Sequence, residues 1–262
     1  SGRYTALGED LWSNIYSPAN TVKENVVTAK LPLVVYLHEY AYATGYHRRS
    51  MSFIRDLTEE GFAVLALDMM GFGTRIEEAL HFYDRYPRWS VMGKMVADTR
   101  CVINDVYTRM PFIDSGRIYL AGYSLGGTVA LFTAALDDRV KGTAVVSAFS
   151  SLRNDNTGTE GIRHYSELHG LIPRLGFFVG HEDRIPVDFD DVLACVVPRS
   201  LLIIAPKRDR HHTIASVQKM VVSVSSLYHQ QQASDKITFE QPDTFNHFPD
   251  SLQQRVAKWL KR

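Results

Sequence analysis

The sequence predicts an α/β fold, a mostly parallel central sheet of about eight strands with helices on both faces. Short, continuous apolar runs alternate with helix-length segments. Strands apolar on both faces belong in a parallel sheet covered on both sides. One such run, residues 117–121, passes through Gly122-Tyr123-Ser124-Leu125-Gly126-Gly127 straight into a helical stretch, residues 128–136. The 262 residues suffice for one large domain with a full core. In sheets of this kind ligands bind at the carboxyl ends of the strands.

Taken in order, residues 12–16 read as a strand that ends at Ser17-Pro18. Residues 33–37, Leu-Val-Val-Tyr-Leu, form the next strand, apolar on both faces. Residues 48–60 follow as a helix that Gly61 stops. Residues 62–67 form a strand ending at Asp68, and a loop rich in glycine and aromatics, 71–89, leads to a long helix over 90–110. The strand 117–121 and its helix come next, then a strand over 142–147. The widest interruption, 150–197, is too short for an independent domain and reads as a small cap or rim within a single domain, 1–262. A helix at 190–195, a strand at 201–205, a helix at 214–229, a strand at 236–240 and an amphipathic helix at 251–261 complete the chain.

Composition narrows the function classes. Basic and acidic residues balance at 29 each, so nothing in the charge points to nucleic acid. No apolar run approaches the length of a membrane span. Cys101 and Cys195 fall in helical stretches and read as space-filling residues rather than a disulfide. No Cys/His spacing suggests zinc, and the adjacent pair His211-His212 points in different directions, so no metal is expected. The opening residues do not read as a secretory leader. Ser1-Gly2 reads as a remnant of cloning, and a trimmed leader leaves secretion or a periplasmic location open.

Ser124 carries the chemistry. A serine flanked by glycines between a strand and a helix is a nucleophile elbow, a sharp turn that exposes the hydroxyl beside the N–H groups of the helix's first turn. Serine is a poor nucleophile near neutral pH and needs a base, and the base needs a group that orients it. In this fold the chain order is Ser, acid, His. Asp209, just beyond the strand at 201–205, is the expected acid. Asp183, in a loop that mimics it after Phe177-Phe178-Val179, is the rival, one strand too early. Of the histidines after Ser124 (His164, His169, His181, His211, His212, His229 and His247), only His247 lies between the last strand and the last helix, so it is the expected base. The backbone N–H groups of Leu125 and Tyr40 are the expected oxyanion donors.

On these residues the chain resembles the α/β-hydrolase superfamily, and within it bacterial acetyl xylan esterases and dienelactone-hydrolase-type enzymes. The resemblance runs from about Leu31 to the C-terminus. It is carried by His38-Glu39-Tyr40, Asp68-Met69-Met70-Gly71-Phe72-Gly73, Asp114-Ser115-Gly116-Arg117-Ile118, the elbow, Pro198-Arg199-Ser200-Leu201-Leu202 and Asn246-His247. It implies ester hydrolysis through an acyl-enzyme, with no cofactor and no metal. Glu39 departs from the glycine that the family often places there, and puts a carboxylate near the substrate. The loop from Phe82 to Trp89, with Tyr40, Tyr42 and Tyr46, offers aromatic platforms. The expectation is therefore a small-molecule or saccharide ester, with Glu39, Arg85 and Trp89 as substrate-binding residues. Arg85, Arg88 or Arg153 would instead hold a substrate carboxylate. A serine peptidase of the same fold and a binding protein with a decayed site are the competing classes.

Overall fold

The computed structural model describes residues 3–4, 7–19, 22–23, 26–27, 30–153 and 161–262. Its main sheet comprises β1 (Asn14–Tyr16), β2 (Leu31–Leu37), β3 (Ala63–Ala66), β4 (Ile113–Tyr123), β5 (Val140–Val146), β6 (Ser200–Ile204) and β7 (Ile237–Glu240). The spatial order is β7-β6-β5-β4-β2-β3-β1. All neighbours are parallel except β1, which runs antiparallel to β3. Seven strands thus build the sheet among the described residues; one short antiparallel ribbon, Arg3–Tyr4 with Asp10–Leu11, precedes β1, and another, Val22–Lys23 with Val26–Val27, lies between β1 and β2.

The helices are α1 (His47–Glu59), α2 (Phe82–Arg85), α3 (Val91–Arg109), α4 (Leu125–Leu136), α5 (Phe189–Ala194), α6 (Ile214–Gln230) and α7 (Asp250–Leu260). The alternation of strand side chains divides the core. From β2, Leu33, Val35 and Leu37 join one cluster with α3, α4 and α6, while Val34 and Tyr36 join the other with α1 and α7. Both faces of this strand are buried, which is why its sequence reads as a continuous apolar run.

Two polar fittings position the loops at the carboxyl ends of the strands. Asp68, just past β3, accepts the Tyr46 N–H at 3.0 Å and both the N–H and hydroxyl of Thr74 at 2.9 Å. His38, just past β2, accepts the Met69 N–H on Nε2 at 3.1 Å, so Nδ1 carries the proton and donates to the Glu39 carbonyl at 2.6 Å. Burial holds this imidazole below its ordinary pKa, against the opposing pull of the Glu39 carbonyl and Asp68. It is a neutral brace for the turn that carries Tyr40.

The insertion contributes short helical turns at His164–Leu168, Pro173–Phe178 and Glu182–Arg184, then α5. Phe177 and Phe178 therefore sit in a helical turn rather than a strand, and Asp183 lies exposed beyond it. Buried Asp188 closes the insertion on itself, accepting the N–H groups of Leu152, Arg153 and Phe189 at 2.7, 3.1 and 2.7 Å.

Candidate active site

Between β4 and α4 the backbone of Ser124 takes φ +52°, ψ −123°. Such a conformation costs a residue with a Cβ about 1–3 kcal/mol and persists only where the surroundings enforce it. Here they do. The Ser124 N–H donates to the Val146 carbonyl of β5 at 2.8 Å, and the Thr128 N–H donates to the Ser124 carbonyl at 3.1 Å. The flanking glycines are required by close approach: a Cβ on Gly126 would lie 2.0 Å from the Leu37 carbonyl oxygen, and one on Gly122 would lie 2.3 Å from that of Gly126. The strand, turn and helix can meet only with hydrogen at both positions.

Ser124 opens into a cavity of about 210 Å³. Tyr40 and Tyr42 line it from beyond β2, Leu125 and Thr128 from α4, and Asn246 from the loop after β7. The insertion adds His164, Tyr165, His169 and Leu171, and the loop after β6 adds His211 and His212. No Lys, Arg, Asp or Glu is among these lining residues. Although four imidazoles face the cleft, no three His, Cys, Asp or Glu side chains among the described residues converge as a metal site.

Asp209 sits behind His212. Its carboxylate is 2% exposed, approaches His212 Nδ1 at 3.2 Å through Oδ2, and accepts the N–H groups of His211 at 2.8 Å and His212 at 3.2 Å through Oδ1. Burial alone would raise its pKa. The His212 ring and the two N–H donors outweigh burial and hold the carboxyl below the usual range. His164 goes the other way for an imidazole: burial first, then His169, His211 and His212, push it down to about 4. It remains neutral across ordinary pH.

The other expected residues lie elsewhere. His247 is exposed and lines a second depression of about 390 Å³ with Glu39, Tyr36, Tyr123, Phe248 and Gln253. Its neighbour Asn246 lines the Ser124 cleft instead, with its carbonyl accepting the Tyr123 hydroxyl. The imidazole against Asp209 is His212, not His247. Glu39 is 7% exposed and belongs to the second depression. Arg85 and Trp89 do not line the cleft. Their loop coils into a 3₁₀ stretch and α2, buries Phe82, and ties its neighbours together: the Tyr83 hydroxyl donates to the Gly170 carbonyl and accepts the Val91 N–H at 3.1 Å. Arg85 turns to the Glu78 carbonyl at 3.2 Å, and Arg153 to the Ile185 carbonyl at 2.8 Å.

Sequence reasoning missed the cleft histidines. His212 has one legible cue, its place three residues after Asp209. His164 and His169 have none, because only the folding of the insertion brings them to the elbow.

A mostly parallel sheet in this order, with a serine at a strained strand–helix turn, defines an α/β-hydrolase. The chain belongs to the family Hydrolase_4, described as serine aminopeptidase, S33, which matches residues 32–232. It is 26% identical over 243 residues to YtaP of Bacillus subtilis (strain 168), named as a hydrolase, with 86% of this chain and 76% of that protein aligned. Its fold is shared by a carbohydrate esterase family 15 glucuronoyl esterase from Caldicellulosiruptor kristjansonii, at TM-score 0.74, 16% identity, and 96% and 72% coverage of the two chains. The Pyrococcus furiosus esterase PF2001 has the same fold, at TM-score 0.70 and 18% identity, covering 100% of this chain and 89% of its own. Among the described residues no helix is long and apolar enough to cross a membrane.

Proposed function

We propose that this hydrolase is a serine esterase acting on short-chain or carbohydrate-linked carboxylic esters through an acyl-enzyme. One observation carries the reading: Ser124, strained at the α4 N-terminus, shares a cleft with an imidazole that a buried carboxylate holds. Ser124 Oγ attacks the ester carbonyl and its proton passes to the base. The tetrahedral oxyanion is met by the N–H groups of Leu125 and Tyr40. The base returns the proton to the leaving alcohol, and water repeats the sequence on the acyl group. Asp209 orients the imidazole and stabilises its charged form.

Geometry favours His212 as that base, since it is the ring Asp209 holds and it faces the Ser124 cleft. A second reading, His247, is favoured by chain order, its loop following the last strand. It requires the loop to turn inward from the second depression.

Ester rather than peptide substrates are supported by the neighbours named as esterases and by the cleft itself. The family's description favours an aminopeptidase. An aminopeptidase site needs a carboxylate to receive the substrate's ammonium group, and no Asp or Glu lines this cleft. A serine-directed phosphonate, followed by a panel of acetyl, methyl, feruloyl and peptide substrates, tests the proposal. Labelling of Ser124 with turnover of esters is expected. A label on another residue, or turnover confined to peptides, overturns it.

A further inference from the structure

Tyr42 is the exposed large apolar side chain among the residues that line the Ser124 cleft. It is 70% exposed, while the neighbouring Tyr40 is largely covered. Its backbone lies at φ +46°, the left-handed region that a side chain with a Cβ disfavours. The turn is held rather than loose: Thr44 donates to the Ala41 carbonyl through both its N–H, at 3.0 Å, and its hydroxyl, at 2.7 Å. The chain therefore spends conformational strain to keep an aromatic ring in water at the mouth of the cleft.

That ring begins a row running inward. Tyr42 and Tyr40 have centroids 6.4 Å apart, Tyr40 lies 4.2 Å from His169, and His169 lies 4.6 Å from His164. The polar side chains beside the row are the imidazoles, Ser124, Thr128 and Asn246, with no Lys, Arg, Asp or Glu among the lining residues. An open aromatic face bordered by hydrogen-bonding side chains matches a ligand with apolar C–H faces and hydroxyl edges, and sets no carboxylate there to receive an ammonium group.

We propose that Tyr42 is a stacking platform for an uncharged pyranose ring in the saccharide part of the ester. This rests on the serine-esterase reading and adds its substrate subsite. It replaces Arg85 and Trp89 as the specificity-determining contact.

The test compares kcat/KM on an acetylated xylo-oligosaccharide and on 4-nitrophenyl acetate for the parent, Tyr42→Ala, Tyr42→Trp and Tyr42→Gly, with Ser124→Ala as control. Tyr42→Ala should lower kcat/KM for the saccharide ester about tenfold, mainly through KM, the size of a contact of about 1.4 kcal/mol. The small acetate, which carries no pyranose ring to stack, should change less than about twofold. Tyr42→Trp should retain the saccharide preference. Tyr42→Gly should lose it while raising Tm, because glycine relieves the positive φ. Equal losses on both substrates, or a lower Tm for Tyr42→Gly, would make the ring a packing element and overturn the proposal. A loss confined to a feruloyl ester would place an aromatic acyl group on the ring and overturn the pyranose assignment. A parent that cleaves 4-nitrophenyl acetate but no acetylated saccharide also overturns it, with the esterase reading intact. Full turnover by Ser124→Ala would bring down the esterase reading itself.

Discussion

Two depressions open at the carboxyl ends of the strands, and consecutive residues are shared out between them. Tyr40, Ser124 and Asn246 face one, whereas Glu39, Tyr123 and His247 face the other. The three pairs stand just beyond β2, at the end of β4 and beyond β7. One depression collects a nucleophile, imidazoles and tyrosines. The other collects a buried carboxylate, an exposed imidazole and aromatic rings. A shift of one residue in the backbone at any of these points would exchange the chemistry of the two sites. The alternation that sorts apolar side chains between two core clusters thus extends past the strand ends and sorts functional groups as well.

This contrast can be broken by mutation. Ser124→Ala should leave Tm unchanged and reduce turnover by roughly six orders of magnitude, judged by other serine triads. If the enzyme's work is done in the first depression, His212→Ala should cost nearly as much, and His247→Ala should cost less than about tenfold. Steady-state kcat for both variants decides this, and the reverse outcome would move the base to the second depression. Asp209→Asn should lower kcat by about four orders, by leaving the imidazole without its orienting carboxylate. Asp183→Asn, exposed on the insertion, should do far less, and a reversal would relocate the acid.

Smaller effects sharpen the contrast. The aliphatic walls of the Ser124 cleft are Leu125 and Leu171, in about 210 Å³. A buried methylene is worth about 0.8 kcal/mol, so an apolar tunnel would reveal itself as a steady climb in kcat/KM from acetyl to decanoyl esters of one alcohol. A fall beyond the short esters is expected.

The last effect is on stability. His164 titrates near 4 in the folded chain, against about 6.5 when unfolded. As pH falls through this window the unfolded state takes up the proton first, so stability declines from about pH 6.5 to pH 4. Asp209, held below the ordinary carboxylate range, supplies stability above its unfolded pKa and loses it only at lower pH, as its folded pKa is passed. His164→Gln should therefore flatten the dependence of Tm on pH between 6.5 and 4. An unchanged slope would mean that the imidazole is solvated and takes no part in the cleft's neutral wall.

The sequence alone determined the sheet, the helices and the elbow. Their causes are local or periodic: unbroken apolar runs such as 33–37 make doubly covered strands, and the glycines at 122 and 126 sit where the carbonyls of residues 126 and 37 leave no room for a Cβ. The position of Asp209 was legible for the same reason, a few residues past β6. Tertiary structure decided what fills the site. Which of two adjacent residues faces Ser124 depends on the direction of the chain after its strand ends, and at Asn246 a distant partner, Tyr123, holds the backbone. The loop at 71–89 buries Phe82 and ties Tyr83 to α3 and to Gly170 of the insertion, and the insertion brings His164 and His169 to the Ser124 cleft. These are long-range contacts between segments that carry no periodic signal, so they exist only once the chain has closed on itself.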